Sequence, residues 1–279
     1  MDVSGINNDA VVVIGAGTVG ATIARRQGPG KTIVLADRDE ATLHALAGAL
    51  ADEGHEVVAR VVDISVRDSV CDLARVAAAA GRISQVAIAV HVSPTHAPPA
   101  EILAVNLQGV GVALEVLSTV VSRGTSGVVV SSMAGYLAEP LTAEQEQTLA
   151  AVWADELLLL DFTDPAEFSD SASAYALAHQ CVRTLVQAAA VRWGWRGARV
   201  NSISRGAIGR MPARRDPDDI SSALPGTAGL ARSATPDDIA AAAAFLLGSE
   251  SSFVTGIDVF VDGGVVAALR TDQLTLLDV

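Results

Sequence analysis

Val11-Val12-Val13-Ile14 is a continuous apolar run that breaks into glycines and gives way to Ala21-Thr22-Ile23-Ala24-Arg25-Arg26. That pattern predicts a strand, a tight turn and a helix in succession. The alternation repeats along the chain, with strands expected over 32–36, 57–62, 86–90 and 128–130 and helices over 41–51, 66–80 and 102–121. Strands that alternate with helices in this way imply right-handed crossovers and a parallel sheet covered on both faces, a doubly wound α/β fold of Rossmann-like type. The rhythm fails over 136–172, where Asp155-Glu156, the apolar run Leu157 to Leu160 and the acidic stretch Asp161 to Asp170 fit neither a strand nor a single helix, so this segment is read as an insertion. A helix resumes over 173–193, a sixth strand lies over 198–203, and a long loop occupies 204–234. Thr235 as N-cap with Pro236 at the first helical position opens a helix over 236–247, and a last short strand lies over 258–261. The tail from Thr271 is polar and then apolar at Leu274, Leu276 and Leu277, a segment that docks on a neighbour or frays.

Composition sharpens this picture in three places. A chain of 279 residues suits a single α/β domain over 1–279, and 50% hydrophobic residues with only 4% aromatic give a core of Ala, Val, Leu and Ile. Nineteen Lys and Arg against 32 Asp and Glu leave a net charge of −13, which repels nucleic-acid phosphates and anionic membrane surfaces. The start Met1-Asp2-Val3-Ser4 has no basic segment, and no uninterrupted apolar stretch reaches the roughly 18 residues of a membrane span, so a cytoplasmic protein without membrane partners is expected. Cys71 and Cys181 lack zinc or redox spacing and are expected to be inert thiols. His91 and His96 flank the expected cofactor crevice without a ligand set around them, so no metal site is expected, while His44 and His55 read as surface residues.

The chemistry begins at Gly15-Ala16-Gly17-Thr18-Val19-Gly20, which follows a strand and opens a helix. Glycines there let the backbone turn tightly and approach a pyrophosphate, whose charge meets free N–H groups at the helix N-terminus. Asp37 ends the second strand 17 residues after Gly20, where a carboxylate can accept hydrogen bonds from the adenosine ribose hydroxyls. This favours NAD(H). The neighbouring Arg38 keeps NADP(H) open, because a guanidinium can pair with a 2′-phosphate.

From Val11 to Leu269 the chain resembles the short-chain dehydrogenase/reductase family, on motifs that arrive in that family's order. Asp63-Ile64 after the third strand resembles the pair that contacts the adenine ring, and Asn106 in Val105-Asn106-Leu107-Gln108-Gly109 resembles the helix asparagine of the catalytic tetrad. Ser131-Ser132-Met133-Ala134-Gly135 resembles the strand-end serine motif, with Ser132 at the catalytic position, and Tyr175 in Ser173-Ala174-Tyr175-Ala176-Leu177-Ala178-His179 resembles the catalytic tyrosine. Thr255-Gly256 followed by Val261-Asp262-Gly263-Gly264 resembles the C-terminal strand signature. The resemblance implies a small-molecule substrate, a homodimer or homotetramer, and a Tyr that gives its proton to a carbonyl oxygen, or takes one from an alcohol, while Ser holds that oxygen. It also implies a Lys four residues after the Tyr, which binds the nicotinamide ribose and lowers the Tyr pKa; this chain has His179 there.

The departures gather on the nicotinamide side. A free Tyr titrates near 10 and a largely neutral imidazole does not replace a fixed ammonium, so surviving redox activity should lean towards carbonyl reduction or need alkaline pH. His179 could still relay a proton, bind a ribose hydroxyl, or be an exposed helix residue with no role. After the fourth strand Val90-His91-Val92-Ser93-Pro94 stands where the family places an Asn-Asn-Ala-Gly type motif, and after the sixth strand Arg205-Gly206 replaces Pro-Gly, setting a bulky cation where the nicotinamide packs. Tyr175 lies 43 residues after Ser132, far more than the family spacing, so the insertion is expected to cover the substrate cleft, to obstruct the long helices that pair subunits, or to be a tolerated surface addition. Arg205, Arg210, Arg214, Arg215 and Arg232 in the 204–234 substrate loop suggest an anionic substrate or, with Asp216, Asp218 and Asp219 nearby, a solvated loop. Three readings stay open on sequence: an NAD(H)-dependent carbonyl reductase or alcohol dehydrogenase; a non-redox dehydratase, isomerase or cyclase of specialised metabolism using Ser132 and Tyr175 as hydrogen-bond donors; and a dinucleotide-binding protein without catalysis.

Overall fold

Every residue of β1 (Asp9–Ile14) is buried, because helices cover the sheet on both sides: Ala10, Val12 and Ile14 enter one apolar cluster, Val11 and Val13 the other. Two-sided burial is what makes the run continuous instead of alternating. The structure, a computed structural model, describes residues 9–209, 229–230 and 232–271. In chain order β1 is followed by α1 (Thr18–Gln27), β2 (Thr32–Asp37), α2 (Glu40–Asp52), β3 (Glu56–Val61), α3 (Arg67–Ala80) and β4 (Arg82–Ile88). Then come α4 (Pro99–Leu117), β5 (Ser126–Ser132), α5 (Ala143–Ala151), α6 (Ser171–Gly194), β6 (Arg199–Arg205), α7 (Pro236–Leu247), β7 (Asp258–Val261) and α8 (Val265–Arg270).

Among the described residues the strands form one parallel sheet in the order β3-β2-β1-β4-β5-β6-β7. Helices α3, α4 and α6 pack on one face and α1, α2 and α7 on the other. The strand order reverses between β1 and β4, which opens a crevice at the carboxyl ends of these strands. This is the expected doubly wound α/β architecture.

The differences from expectation have local causes. β5 begins at Ser126, ahead of its Val run, because the buried Ser126 hydroxyl finds a partner in the Leu247 carbonyl at 2.7 Å. β4 begins at Arg82, whose guanidinium makes a two-pronged bond to Asp9 (2.9 and 2.6 Å), and it ends at Ile88, so Ala89 to His91 leave the sheet. Helix α4 starts earlier than expected and widens to π geometry over Leu103–Gly109. By length and composition α4 does qualify as a membrane span, with mean hydropathy 1.5, which corrects the expectation from sequence; 72% of its apolar window is buried in the fold, the signature of a core helix. The α7 start is as expected: the Thr235 hydroxyl accepts from the Asp238 N–H at 3.2 Å and Pro236 opens the helix.

The 136–172 insertion is α5, capped by Thr142 and Gln145, followed by short 3₁₀ turns at Ala154–Leu159, Asp161–Thr163 and Pro165–Glu167. It lies across α4 and α6. Leu157 is fully buried against Gly111 of α4 and Leu185 of α6, and a Cβ at Gly111 would stand 2.8 Å from Leu157 Cδ1. Arg67 fastens the outer side with ion pairs to Asp155 at 2.6 Å and Glu115 at 3.0 Å. Of the 204–234 loop, residues 210–228 and 231, with Arg210, Arg214, Arg215 and the three aspartates, lie outside the described residues, as do Met1 to Asn8 and the tail beyond Thr271.

Candidate active site

Gly15 stands at φ +108°, a backbone region open to glycine, and its carbonyl lies where a Cβ on Gly20 would come within 1.8 Å, so α1 can press onto the turn only with glycine at both places. Gly17 caps α1 with no side-chain hydrogen bond, the first turn carries no acidic residue, and a Cβ at Gly17 would meet nothing within 4 Å. The leading N–H groups of this ten-residue helix therefore have no side-chain cap or acidic partner among the described residues for their partial charge. Gly17, Thr18 and Val19 form one wall of a cleft of ≈310 Å³ whose other wall carries Ser131, Tyr175 and His179.

Asp37 at the end of β2 ties this wall together: Oδ2 accepts from the Ala16 N–H at 2.6 Å and Oδ1 from the Asp39 N–H at 2.9 Å. Each oxygen retains a lone pair, so the carboxylate can still accept ribose hydroxyls. Arg38 is taken up by Glu101, 2.8 Å away. Asp63 accepts from the Ser65 N–H (2.9 Å) and hydroxyl (2.6 Å), whereas Ile64 is buried against Gly109 of α4. Of that pair, Ile64 is thus a core residue and Asp63 the accessible one. A dinucleotide fits these features: an uncapped helix start for its pyrophosphate with the cleft beside it, and Asp37 for a ribose.

On the opposite wall the sequence reading needs adjustment. Ser132 occupies the strand end, where its hydroxyl accepts from the Ala134 N–H at 3.2 Å, but it is not among the residues that line the cleft. Ser131 is the serine that meets His179, at 3.0 Å from Nδ1. Strand alternation puts Ser131 on the side of Val129 and α6, a signal present in the sequence but outweighed by the motif. His179 is not an exposed helix residue: it is 3% exposed, stands edge-on to the Tyr175 ring with centroids 4.3 Å apart, and its buried Nε2 has no partner among the described residues. Asn106, in the widened turn of α4, accepts from the Val92 N–H at 2.7 Å and donates to the Val92 carbonyl at 2.9 Å, which pins the segment carrying His91. Arg205 at the end of β6 then donates to His91 Nε2 at 3.0 Å and to the Gly206 carbonyl at 3.1 Å. It is the cation lining the cleft among the described residues. Among those residues no group of His, Cys, Asp or Glu has the arrangement of a metal site.

Burial and the nearby Arg205 charge push His91 down to about 4, although its residue surface reaches solvent at the cleft mouth. Burial above all, then His91 and Arg205, hold His179 well below the usual histidine range. Both imidazoles are neutral at pH 7. Because the folded His179 stays neutral while the unfolded chain titrates near 6.5, its contribution to stability is complete above about pH 6.5 and is lost as pH falls. Urea melts of the wild type below pH 6.5 should show a slope steeper by about 1.4 kcal/mol per pH unit than those of His179→Gln, which keeps the contribution of His91. Equal slopes in the two proteins would mean that His179 is charged in the fold.

Comparison with known proteins gives the same picture at several levels. Residues 156–266 match the family model described as enoyl-(acyl carrier protein) reductase. The chain is 37% identical over 272 residues to the short-chain dehydrogenase/reductase bsc3 of Alternaria brassicicola, covering 96% of this chain and 99% of the relative. It is 27% identical over 270 residues to the cis-4-hydroxycyclohexanecarboxylate dehydrogenase of Sinomonas cyclohexanicum, covering 92% of this chain and 96% of that one. In three dimensions it superposes on a solved short-chain dehydrogenase/reductase from Serratia marcescens with a TM-score of 0.71 at 20% identity, over 93% of this chain and 98% of the other.

Proposed function

The chain belongs to the short-chain dehydrogenase/reductase family, and we propose that it is an NADH-dependent reductase acting on a carbonyl group of a small organic molecule. One observation carries this reading: Tyr175, a proton donor, lines the same ≈310 Å³ cleft as the uncapped start of α1. Gly17, Thr18 and Val19 would hold the pyrophosphate, and Asp37 the adenosine ribose. When bound, the dinucleotide supplies the hydride. Tyr175 gives its phenolic proton to the carbonyl oxygen, and Ser132, at the strand end next to the cleft-lining Ser131, would orient that oxygen by turning its hydroxyl into the cleft. His179 is a positioning residue: Ser131 fixes one ring nitrogen and the ring stands edge-on to Tyr175. Asn106 acts through Val92 and His91. With a neutral His179 beside Tyr175, carbonyl reduction, which uses the protonated tyrosine, is favoured over alcohol oxidation.

The preference for NADH rests on Asp37 and on the Arg38–Glu101 pair, which occupies the guanidinium that a 2′-phosphate would need. Titration calorimetry with NADH, NAD and NADPH tests it. NADH should bind with micromolar Kd, NADPH more weakly, and Asp37→Ala should weaken NADH about tenfold or more. Failure of every dinucleotide to bind would overturn the reading and turn attention to hydride-free chemistry at Ser132 and Tyr175.

A further inference from the structure

A cavity of ≈500 Å³ among the described residues lies apart from the cofactor cleft and shares no lining residue with it. It is built on Gln180, Arg183 and Thr184 of α6, against Tyr136, Asp258 and Arg270. The Arg183 guanidinium stacks on Tyr136 with its carbon 3.6 Å from the ring centroid, and Arg270 stands over the same ring at 5.1 Å. The carboxylate on the floor is already satisfied: Tyr136 Oη donates to Asp258 Oδ2 at 2.7 Å and Ser202 Oγ to Oδ1 at 2.6 Å. Neither arginine makes an ion pair among the described residues, and the exposed Glu146 at the rim is likewise unpaired there.

Two buried polar atoms are left over. Among the described residues Arg183 Nη1 has no hydrogen-bond partner, and neither has Oε1 of Gln180, a residue 4% exposed whose Nε2 donates to the Glu139 carbonyl at 2.9 Å. An unmet buried donor or acceptor costs about 1–3 kcal/mol, so these two side chains at the edge of the cavity gain from a small turn that brings either atom to a ligand or water in it. The donor set is also specific. Two guanidinium groups call for a carboxylate, and an amide oxygen calls for a hydroxyl donor on the same molecule.

We infer that this cavity is a second ligand site, one that takes a small hydroxycarboxylate on Arg183 and Arg270 with its hydroxyl on Gln180. The site does not rest on the dinucleotide reading. It is nevertheless coupled to the cleft by the chain itself, since Tyr136 closes the turn that begins at Ser132 and Gln180 follows His179. Backbone contact there is tight: a Cβ on Gly135 would stand 2.6 Å from the Gln180 nitrogen.

The test is calorimetric titration of the full chain with L-malate at fixed ionic strength, with neutral dimethyl malate as control. The wild type should bind one malate with a Kd of about 1 mM or below, and dimethyl malate should give no saturable heat. Arg270→Gln should weaken malate at least about tenfold while circular dichroism and thermal unfolding stay as in the wild type, and Gln180→Leu should weaken it about threefold or more. Arg205→Ala reports on the cofactor cleft and should leave malate binding unchanged. Absence of saturable binding by the wild type, binding that survives Arg270→Gln, or binding abolished by Arg205→Ala would each overturn the assignment.

Discussion

Tyr175→Phe is expected to lower carbonyl reduction by about 10²–10⁴-fold while leaving NADH affinity unchanged, the range associated with loss of a positioned general acid. The substitution removes one oxygen and keeps the ring, so the edge-on packing against His179 at 4.3 Å persists and the fold is preserved. Among the described residues no neighbour in the cleft is equipped to take over. His179 and His91 are held neutral by burial and by Arg205, and a guanidinium does not surrender a proton near neutral pH. Ser132 can orient an oxygen, but an alcohol is too weak an acid to protonate it. The measurement is the decay of nicotinamide absorbance with a panel of ketones and aldehydes, run beside calorimetry with NADH. A variant with full activity would mean that the proton comes from elsewhere. Product formed by both proteins without any absorbance change would favour a hydride-free reaction at the same residues.

The fold was legible because its signals are local. A strand buried on both faces must be apolar at successive positions, and Val11 to Ile14 show this without reference to anything distant. The cradle was legible for a related reason: Gly15, Gly17 and Gly20 act through backbone geometry, and a side chain's absence is visible in sequence. The insertion was not. Leu157 becomes a core residue only because Gly111, distant in sequence, leaves room for it between α4 and α6, and 3₁₀ turns have no apolar period to read. The widened turn in α4 is equally silent, since Leu103–Gly109 has the composition of an ordinary helix.

Within the cleft, residue types were legible and pairings were not. The two departures from the family pattern, His179 and Arg205, look unrelated in sequence, yet the fold brings Arg205 to His91 and its charge to bear on His179. The fixed positive charge of the cleft sits at the end of β6, 3.0 Å from His91, and not on the helix of Tyr175. The glycine turn was legible because it depends on backbone, whereas the place of this charge depends on pairings that only the fold makes. Arg38 and Ser131 make the same point, because only the fold shows that one is engaged by Glu101 and the other by His179.

Gly15→Ala and Gly17→Ala should separate folding from binding within one turn. At Gly15 the φ of +108° strains any side chain, and the added Cβ would stand 2.6 Å from the Ala89 carbonyl oxygen, which belongs to backbone and has no rotamer to escape into. Conformational strain of about 1–3 kcal/mol and overpacking of similar size together predict a loss of about 2–5 kcal/mol, a Tm lower by roughly 5–15 °C. NADH binding should fail with it, since α1 must shift to relieve the contact. At Gly17 the backbone is extended (φ −66°, ψ 177°), which alanine adopts freely, and no protein atom lies within 4 Å of the new Cβ. Stability should therefore stay within about 0.5 kcal/mol of wild type. The methyl group nevertheless occupies the cleft wall where a pyrophosphate must approach the N–H groups of α1, so NADH affinity should fall about tenfold or more with no change in Tm. Thermal unfolding and NADH calorimetry on the two variants read both quantities. An unchanged NADH affinity in Gly17→Ala would remove the start of α1 from the binding site, because no other consequence of that methyl group reaches the rest of the protein.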